Sequence, residues 1–232
     1  MAAMNVDELP EGEEKRQAVQ AMFDTIAPRY DLVNRIMTFR LDVRWRRRTV
    51  AAMALPAGSL VLDLACGTGD FCIDLQKGGL RPVGVDLSMG MLAASRADAP
   101  LLHGDILALP IGNGVADGAT CGFALRNLVE LPGFFDELAR VVRPGGRIGL
   151  LEVGDPQNRL IKTGYGVYFG KVVPFIGGLL SDRNAYRYLP KSASYLPPSA
   201  ELLARLAEAG FIDVERELLT AGCAQLITAT RA

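Results

Sequence analysis

The run Val61-Leu-Asp-Leu-Ala-Cys-Gly-Thr-Gly-Asp70 places an acid inside a hydrophobic stretch and closes it with two glycines. A second run, Val83-Gly-Val-Asp86, ends in another acid 23 residues after Asp63. A buried strand that turns at Gly67, Thr68 and Gly69 lets backbone come close to a ligand. The N–H groups at the start of the following helix can then hold a carboxylate. An acid at the end of the next strand can accept both hydroxyls of a ribose. The chain has no G-x-G-x-x-G; the segment reads D-x-A-x-G-T-G. That disfavours a nicotinamide dinucleotide and its pyrophosphate. An adenosyl cofactor without pyrophosphate fits better, and S-adenosylmethionine is the obvious one.

On this reading Asp63 receives the methionine ammonium and Asp86 the ribose, while Leu87 and Met89 flank the adenine. The turn Gly104-Asp105-Ile106 brings Asp105 toward the adenine amine, with the Ile106 backbone beside it. Taken singly, Asp63 could cap a turn and Asp105 could be a surface acid; their order after three strands is what favours the cofactor. Arg126 and Asn127 follow a fourth strand, at the carboxyl edge where open sheets bind ligands. Arg126 can stabilise an oxyanion or orient a water, and Asn127 can hydrogen-bond an acceptor oxygen. Arg126 could also pair with a core acid such as Glu152. Tyr30 and Asp31 belong to a segment that would fold over the cofactor, Tyr30 as a candidate contact to the reacting groups. The one histidine, His103, ends strand three and reads as structural, so a histidine base is not expected.

These groups need a sheet to hold them. Strands are expected at 60–65, 82–86, 101–103, 118–123 and 147–153, with helices at 69–77, 88–96 and 133–142 between them. Such alternation gives a mostly parallel sheet covered on both faces. A helix at 199–210, capped by Ser199 and stopped by Gly210, leads to strands at 211–218 and 223–230. Their short connection makes the last pair antiparallel. The expected fold is therefore α/β, a Rossmann-like sheet of seven strands with an antiparallel last strand. The aromatic-rich stretch 156–198 is a helical insertion between strands five and six. Its Tyr165, Tyr186 and Tyr188 could line a pocket or form its own core. Residues 1–14 read as a loose tail and 15–232 as one domain. Its N-terminal helical lid, 15–58, includes helices at 15–27, ended by Pro28, and 45–53, with an aromatic and polar stretch at 29–37 between them.

The chain has 232 residues, half of them apolar, and a net charge of −1. That argues against nucleic acid held by bulk electrostatics. Four scattered cysteines, no C-x-x-C and one histidine argue against a metal site and for a reduced, cytoplasmic chain. The acidic start does not read as a secretory signal, and the apolar region 165–180 is broken by Lys171, Pro174 and four glycines. Arg40, Arg44, Arg46, Arg47 and Arg48 form a basic cluster that could touch an anionic membrane surface transiently.

Beyond the superfamily of class I S-adenosylmethionine methyltransferases, three segments resemble the menaquinone and ubiquinone C-methyltransferase family. They are Phe23-Asp-x-Ile-Ala-x-x-Tyr-Asp31 with Asn34 and Trp45-Arg-Arg, then Phe123-Ala-Leu-Arg-Asn-Leu128, then Glu152 through Ala185-Tyr-Arg-Tyr-Leu-Pro190. The resemblance implies cofactor contacts at Thr68, Asp86, Asp105 and Ile106, and a backbone contact at Gly122 where some relatives have serine. Ala124 departs from a usual glycine, and Glu152-Val-Gly-Asp155 departs from a usual Glu-Phe-Ser. The implied reaction is C-methylation of a demethylated prenyl quinol, demethylmenaquinol first. A prenyl substrate leaves open a transient contact with the inner face of the membrane, and self-association is open as well. Other small phenolic or isoprenoid acceptors, or a non-catalytic role in a quinone-synthesis complex, are the alternatives.

Overall fold

The computed structural model describes residues 12–180, 185, 188 and 192–232. Residues 1–11 of the expected tail, and Tyr186, lie outside the described residues. Residues 12–14 are not tail: they open helix α1 (Gly12–Ile26), where Glu13 and Glu14 suit the positive end of the helix.

Seven strands form one sheet: β1 (Leu60–Leu64), β2 (Arg81–Asp86), β3 (Leu101–His103), β4 (Ala116–Gly122), β5 (Val142–Val153), β6 (Phe211–Leu219) and β7 (Ala224–Arg231). Their order is β3-β2-β1-β4-β5-β7-β6. The first five are parallel, and β7 runs antiparallel between β5 and β6. The order reverses between β1 and β4, which opens a crevice at their carboxyl ends. Every candidate polar group after β1, β2, β3 and β4 meets that edge.

Alternation along the strands assigns the two faces. Leu62 and Leu64 of β1 and Ile148 and Leu150 of β5 pack with Phe134, Phe135 and Leu138 of helix α6 (Leu131–Val141). Val61 points to the other face, against Met53 of helix α3 (Leu41–Met53) and Leu75 of helix α4 (Asp70–Lys77). Asp63 shares that second face by period.

Several boundaries differ from expectation. Residues 30–37 form helix α2 (Tyr30–Met37), which follows a 3-10 turn at Ala27–Arg29 containing Pro28. Its Val33 and Met37 are buried, one turn apart. Helix α5 (Met89–Ala93) is shorter than expected, and its Ser88 side chain accepts the cap bond from the Met91 N–H. The Arg143–Gly146 stretch is not a separate loop but an irregular start of β5, where the register slips between Ala116 and Gly118 of β4. Helix α9 (Ser199–Glu208) begins at Ser199, with Pro198 in the cap position and no side-chain cap bond. The insertion is helix α7 (Arg159–Val167), a π-helical turn (Tyr168–Val172) and helix α8 (Val173–Leu180).

The expected basic cluster does not form one patch. Arg46 is buried and bridges Asp42 at 2.8 Å, Asp74 at 2.9 Å and Asp70 at 3.0 Å. Arg48 pairs with Glu217 at 2.8 Å on the surface. Arg46 thereby ties α3 to α4. Removing one partner of a buried charge cluster leaves the others unpaired, so Arg46→Ala should cost about 3–5 kcal/mol in denaturant unfolding. Arg48→Ala should cost no more than about 1 kcal/mol in the same assay.

Candidate active site

The loop after β1 is held by backbone geometry. Gly67 and Gly69 adopt φ of +55° and +81°, and a side chain at Gly69 would collide with Ala97 and Ser95. Asp86, at the end of β2, accepts from the Gly67 N–H at 2.7 Å and from the Ser88 N–H at 2.8 Å. Burial pushes its carboxyl up, and those backbone donors partly offset the push. The acid thus fastens the glycine loop as well as facing the crevice. Two non-glycine residues beside it, Ala65 and Phe123, also have positive φ (55° and 58°), strain of the kind that clusters at ligand sites.

Two cavities meet at this edge. The larger, about 830 Å³, is lined by Asp63, Thr68, Arg126 and Tyr165, among others. The smaller, about 130 Å³, is lined by Asp86, Leu87, Asp105, Ile106 and Asn127, among others. Tyr30, Ala65, Gly67, Gly122 and Phe123 line both. Tyr30 is therefore the partition of one divided cleft. Burial raises its phenol, which stays protonated and hydrogen-bonded to Asn34.

The smaller cavity collects Asp86, Leu87, Asp105 and Ile106, four of the residues expected at a nucleoside. Asp105 pairs with Arg16 of α1 at 3.1 Å, a partner the sequence did not reveal. Arg16 Nε is buried with no hydrogen-bond partner among the described residues, a donor suited to an acceptor atom entering this cavity. Met89 was expected at the adenine but lines neither cavity and is 55% exposed. Met91, one turn position on, is buried and lines the smaller one. The short α5 rotates Met89 outward and Met91 inward. His103 lines neither cavity; its Nε2 hydrogen-bonds the Leu87 carbonyl at 3.0 Å.

Asp63 forms the floor of the larger cavity, 1% exposed. It accepts from Thr120 Oγ1 at 2.9 Å and from the Cys72 thiol at 3.4 Å. Burial outweighs these bonds and raises its carboxyl to about 7. The charge of Arg46 offsets the burial only in part, so a cationic ammonium bound here would favour the charged carboxylate further. Thr68 Oγ1 donates to Asp31 of α2 at 2.5 Å, and Asp31 also pairs with Arg96. The first glycine turn and the N-terminal helices are thus fastened to each other. Gly122 touches Phe71: an added Cβ would sit 2.8 Å from its ring. The ring fills the space a serine would need.

Arg126 and Asn127 occupy a short 3-10 turn after β4, but they face different cavities. Arg126 does pair with Glu152, which is 0% exposed and also accepts from the Arg126 N–H at 3.2 Å. Arg126 Nε donates to Ser192 at 3.1 Å, and Nη2 makes no hydrogen bond among the described residues. Arg126 is thus paired in the core with Glu152 and also lines the larger cavity. Residues Lys162, Tyr165, Gly166, Phe169 and Gly170 line that cavity from the insertion, at helical spacing on one face. Tyr188 does not; it is wholly buried among Met22, Ile26 and Val33 of the N-terminal helices.

The model of the ubiE/COQ5 methyltransferase family matches residues 11–231. The chain is 41% identical to a demethylmenaquinone methyltransferase of Roseiflexus castenholzii, across 97% of this chain and 98% of that one. It is 39% identical to a ubiquinone/menaquinone biosynthesis C-methyltransferase UbiE of Syntrophotalea carbinolica, across 93% and 94%. Among solved structures, phosphoethanolamine N-methyltransferase 2 of Haemonchus contortus, bound to S-adenosylmethionine, superposes with a TM-score of 0.60 at 15% identity, over 81% of this chain and 52% of that one. A methyltransferase of Thermotoga maritima does so with a TM-score of 0.61 at 18% identity, over 92% and 99%. The last two establish a shared fold.

The raised acid of Asp63 has a thermodynamic signature. Between 3.8 and about 7 the folded chain binds a proton that the unfolded chain does not. Stability therefore falls as pH rises through that window, and the loss is complete above it. Asp63→Asn has no such proton. The melting temperature of the wild type should drop relative to that variant between about pH 5 and about pH 8. Saturating S-adenosylmethionine should shrink the drop, because an ammonium favours the charged carboxylate.

Proposed function

The chain belongs to the ubiE/COQ5 methyltransferase family and is an S-adenosylmethionine-dependent methyltransferase, and we propose that its acceptor is a demethylated prenyl quinol, demethylmenaquinol first. S-adenosylmethionine supplies an electrophilic methyl group. The chain's own residues have to orient that group, expose the acceptor to it and keep water out. Asp86 and Asp105 hold the ribose and adenine in the smaller cavity, with Leu87, Ile106 and Arg16 around them. Asp63, Gly67, Thr68 and Gly69 hold the methionine end, and the Gly122 backbone and Tyr30 sit at the junction where the methyl group passes.

The observation that carries the acceptor reading is Arg126. Its guanidinium is fixed by Glu152 and Ser192, leaving Nη2 on the larger cavity. A fixed guanidinium there favours loss of a phenol proton and holds the phenolate. The phenol proton passes to water, and the phenolate makes the neighbouring ring carbon a nucleophile. That carbon takes the methyl group, leaving the thioether of S-adenosylhomocysteine. It then loses its own proton to water as the ring oxygen is reprotonated. Asn127 steadies the wall between acceptor and nucleoside. The volume of the larger cavity and its aromatic insertion wall suit a ring carrying an apolar tail. Two of the similar full-length proteins carry quinone names.

A tailed quinol is delivered from a bilayer. No described helix is long and apolar enough to cross a membrane. On α2, the turn after it and the insertion, Leu32, Phe39 and Phe175 are 57%, 74% and 73% exposed. Phe39 lies 5.8 Å from Tyr168 of the π-helical turn, so these two segments form one face, with Arg40 and Lys171 exposed on it. Apolar tips among cations suit transient contact with an anionic membrane surface.

Methyl transfer from labelled S-adenosylmethionine to detergent-solubilised demethylmenaquinol should give a product one methylene heavier, with the label on the ring carbon. Transfer to a soluble phenol but not to the quinol would reject this acceptor. Arg126→Ala should lower turnover by at least about tenfold while binding of S-adenosylhomocysteine is spared. The wild type should sediment with phosphatidylglycerol-containing vesicles, and the Phe39→Ser, Phe175→Ser double variant should not. A concentration-dependent mass in place of vesicle binding would assign that face to self-association.

A further inference from the structure

We propose that the insertion does more than enclose the acceptor: its Ser192 and Tyr188 are positioning residues that set the orientation of Arg126 and Asn127. This rests on the reading of the Arg126 turn as the acceptor-handling element. The turn itself, Leu125–Asn127, is three residues long and follows Phe123 in a left-handed conformation. So short a segment has little of its own to fix two side chains. Glu152 supplies one anchor, through Arg126 Nη1 and the backbone N–H. A guanidinium held at one end can still pivot about that contact. The second bond, from Nε to Ser192 Oγ at 3.1 Å, fixes its plane and hence the direction of Nη2.

Asn127 has a parallel arrangement. The Tyr188 hydroxyl donates to Asn127 Oδ1 at 3.3 Å. With Oδ1 occupied, the amide keeps Nδ2 for donation. Ser192 and Tyr188 are both 0% exposed, so each hydroxyl is costly to bury unless it is bonded. The Tyr188 ring packs with Met22, Ile26, Val33 and Met37 of α1 and α2. Lys15 of α1 adds a tie, with Nζ donating to the Leu128 carbonyl at 2.8 Å and standing 3.6 Å over the Tyr195 ring. N-terminal helices, insertion and the Arg126 turn therefore close as one unit. Alignment of the two polar side chains is a consequence of that closure.

Ser192→Ala and Tyr188→Phe remove single hydroxyls and keep volume. Each should lower kcat on the quinol about tenfold. For Ser192→Ala, which acts through Arg126 on the larger cavity, KM for S-adenosylmethionine and the affinity for S-adenosylhomocysteine should not change. Ser192→Thr should restore turnover. In an Arg126→Ala background, Ser192→Ala should add nothing, since its effect passes through the arginine. Undiminished kcat in both hydroxyl variants, while Arg126→Ala is impaired, would overturn the positioning role alone. Full turnover in Arg126→Ala would overturn the reading of the turn as well. If Ser192→Ala lowers melting temperature and kcat together, and Ser192→Thr restores neither, the hydroxyl is structural and the proposal fails.

Discussion

A guanidinium buried against a buried carboxylate must be held well or not made at all. Arg126 and Glu152 sit where β4 and β5 end side by side; the carboxylate is wholly buried and the guanidinium borders the larger cavity on one side only. Much of the crevice follows from that requirement. β5 has to bring Glu152 to the sheet edge, and β4 has to stop at Gly122 so that the chain can turn. Phe123 takes a costly backbone conformation to make the turn, and its N–H is still bonded, to the Leu151 carbonyl at 2.7 Å. The insertion then has to place Ser192 against the remaining side of the guanidinium. A pair of this kind contributes little net stability, but it specifies one geometry.

The N-terminal helices meet the sheet through a second set of charges. Asp70, at the start of α4, is shared by Arg35 of α2 at 2.9 Å and Arg46 of α3 at 3.0 Å. Asp31 of α2 reaches Thr68 and Arg96 across the glycine loop. Gln20 of α1 donates to the Leu87 carbonyl, and Asp24 accepts from the Gly90 N–H. Helices that would otherwise be peripheral thus touch every loop of the nucleoside half.

The sheet was legible because its first two strands are short, mostly apolar runs, one with an acid just before its end and the next ending in one. Leu60 to Leu64 and Arg81 to Asp86 announce both the burial and the edge. The place of Arg126 and Asn127 at the sheet edge was legible because they follow closely on the run that forms β4. Their separation onto two cavities was not, since it depends on a turn that runs only three residues. Helix α2 was hidden by Pro28 before it and by its mixed surface, where Leu32 and Ile36 are exposed while Val33 and Met37 are buried. Met89 was misplaced because a helix of five residues has too little period to show its inward face. Arg46 looked like one of five surface cations; only the folding of α3 onto α4 shows that it is the buried one. Arg16 and Ser192 carry no local signal, because their partners are 89 and 66 residues away.

The ring of Phe71 against Gly122 has a consequence for how such a chain can change over generations. The two residues compete for one volume beside the cleft. A serine at 122 is tolerated only after position 71 has shrunk, and a smaller residue at 71 opens a void unless 122 has grown. Neither step is neutral alone, so the pair is epistatic, and a lineage crosses from one arrangement to the other through an impaired intermediate or by a double step. The glycine that looks like a lost side-chain contact is then one half of a packing pair, with an aromatic wall as the other half.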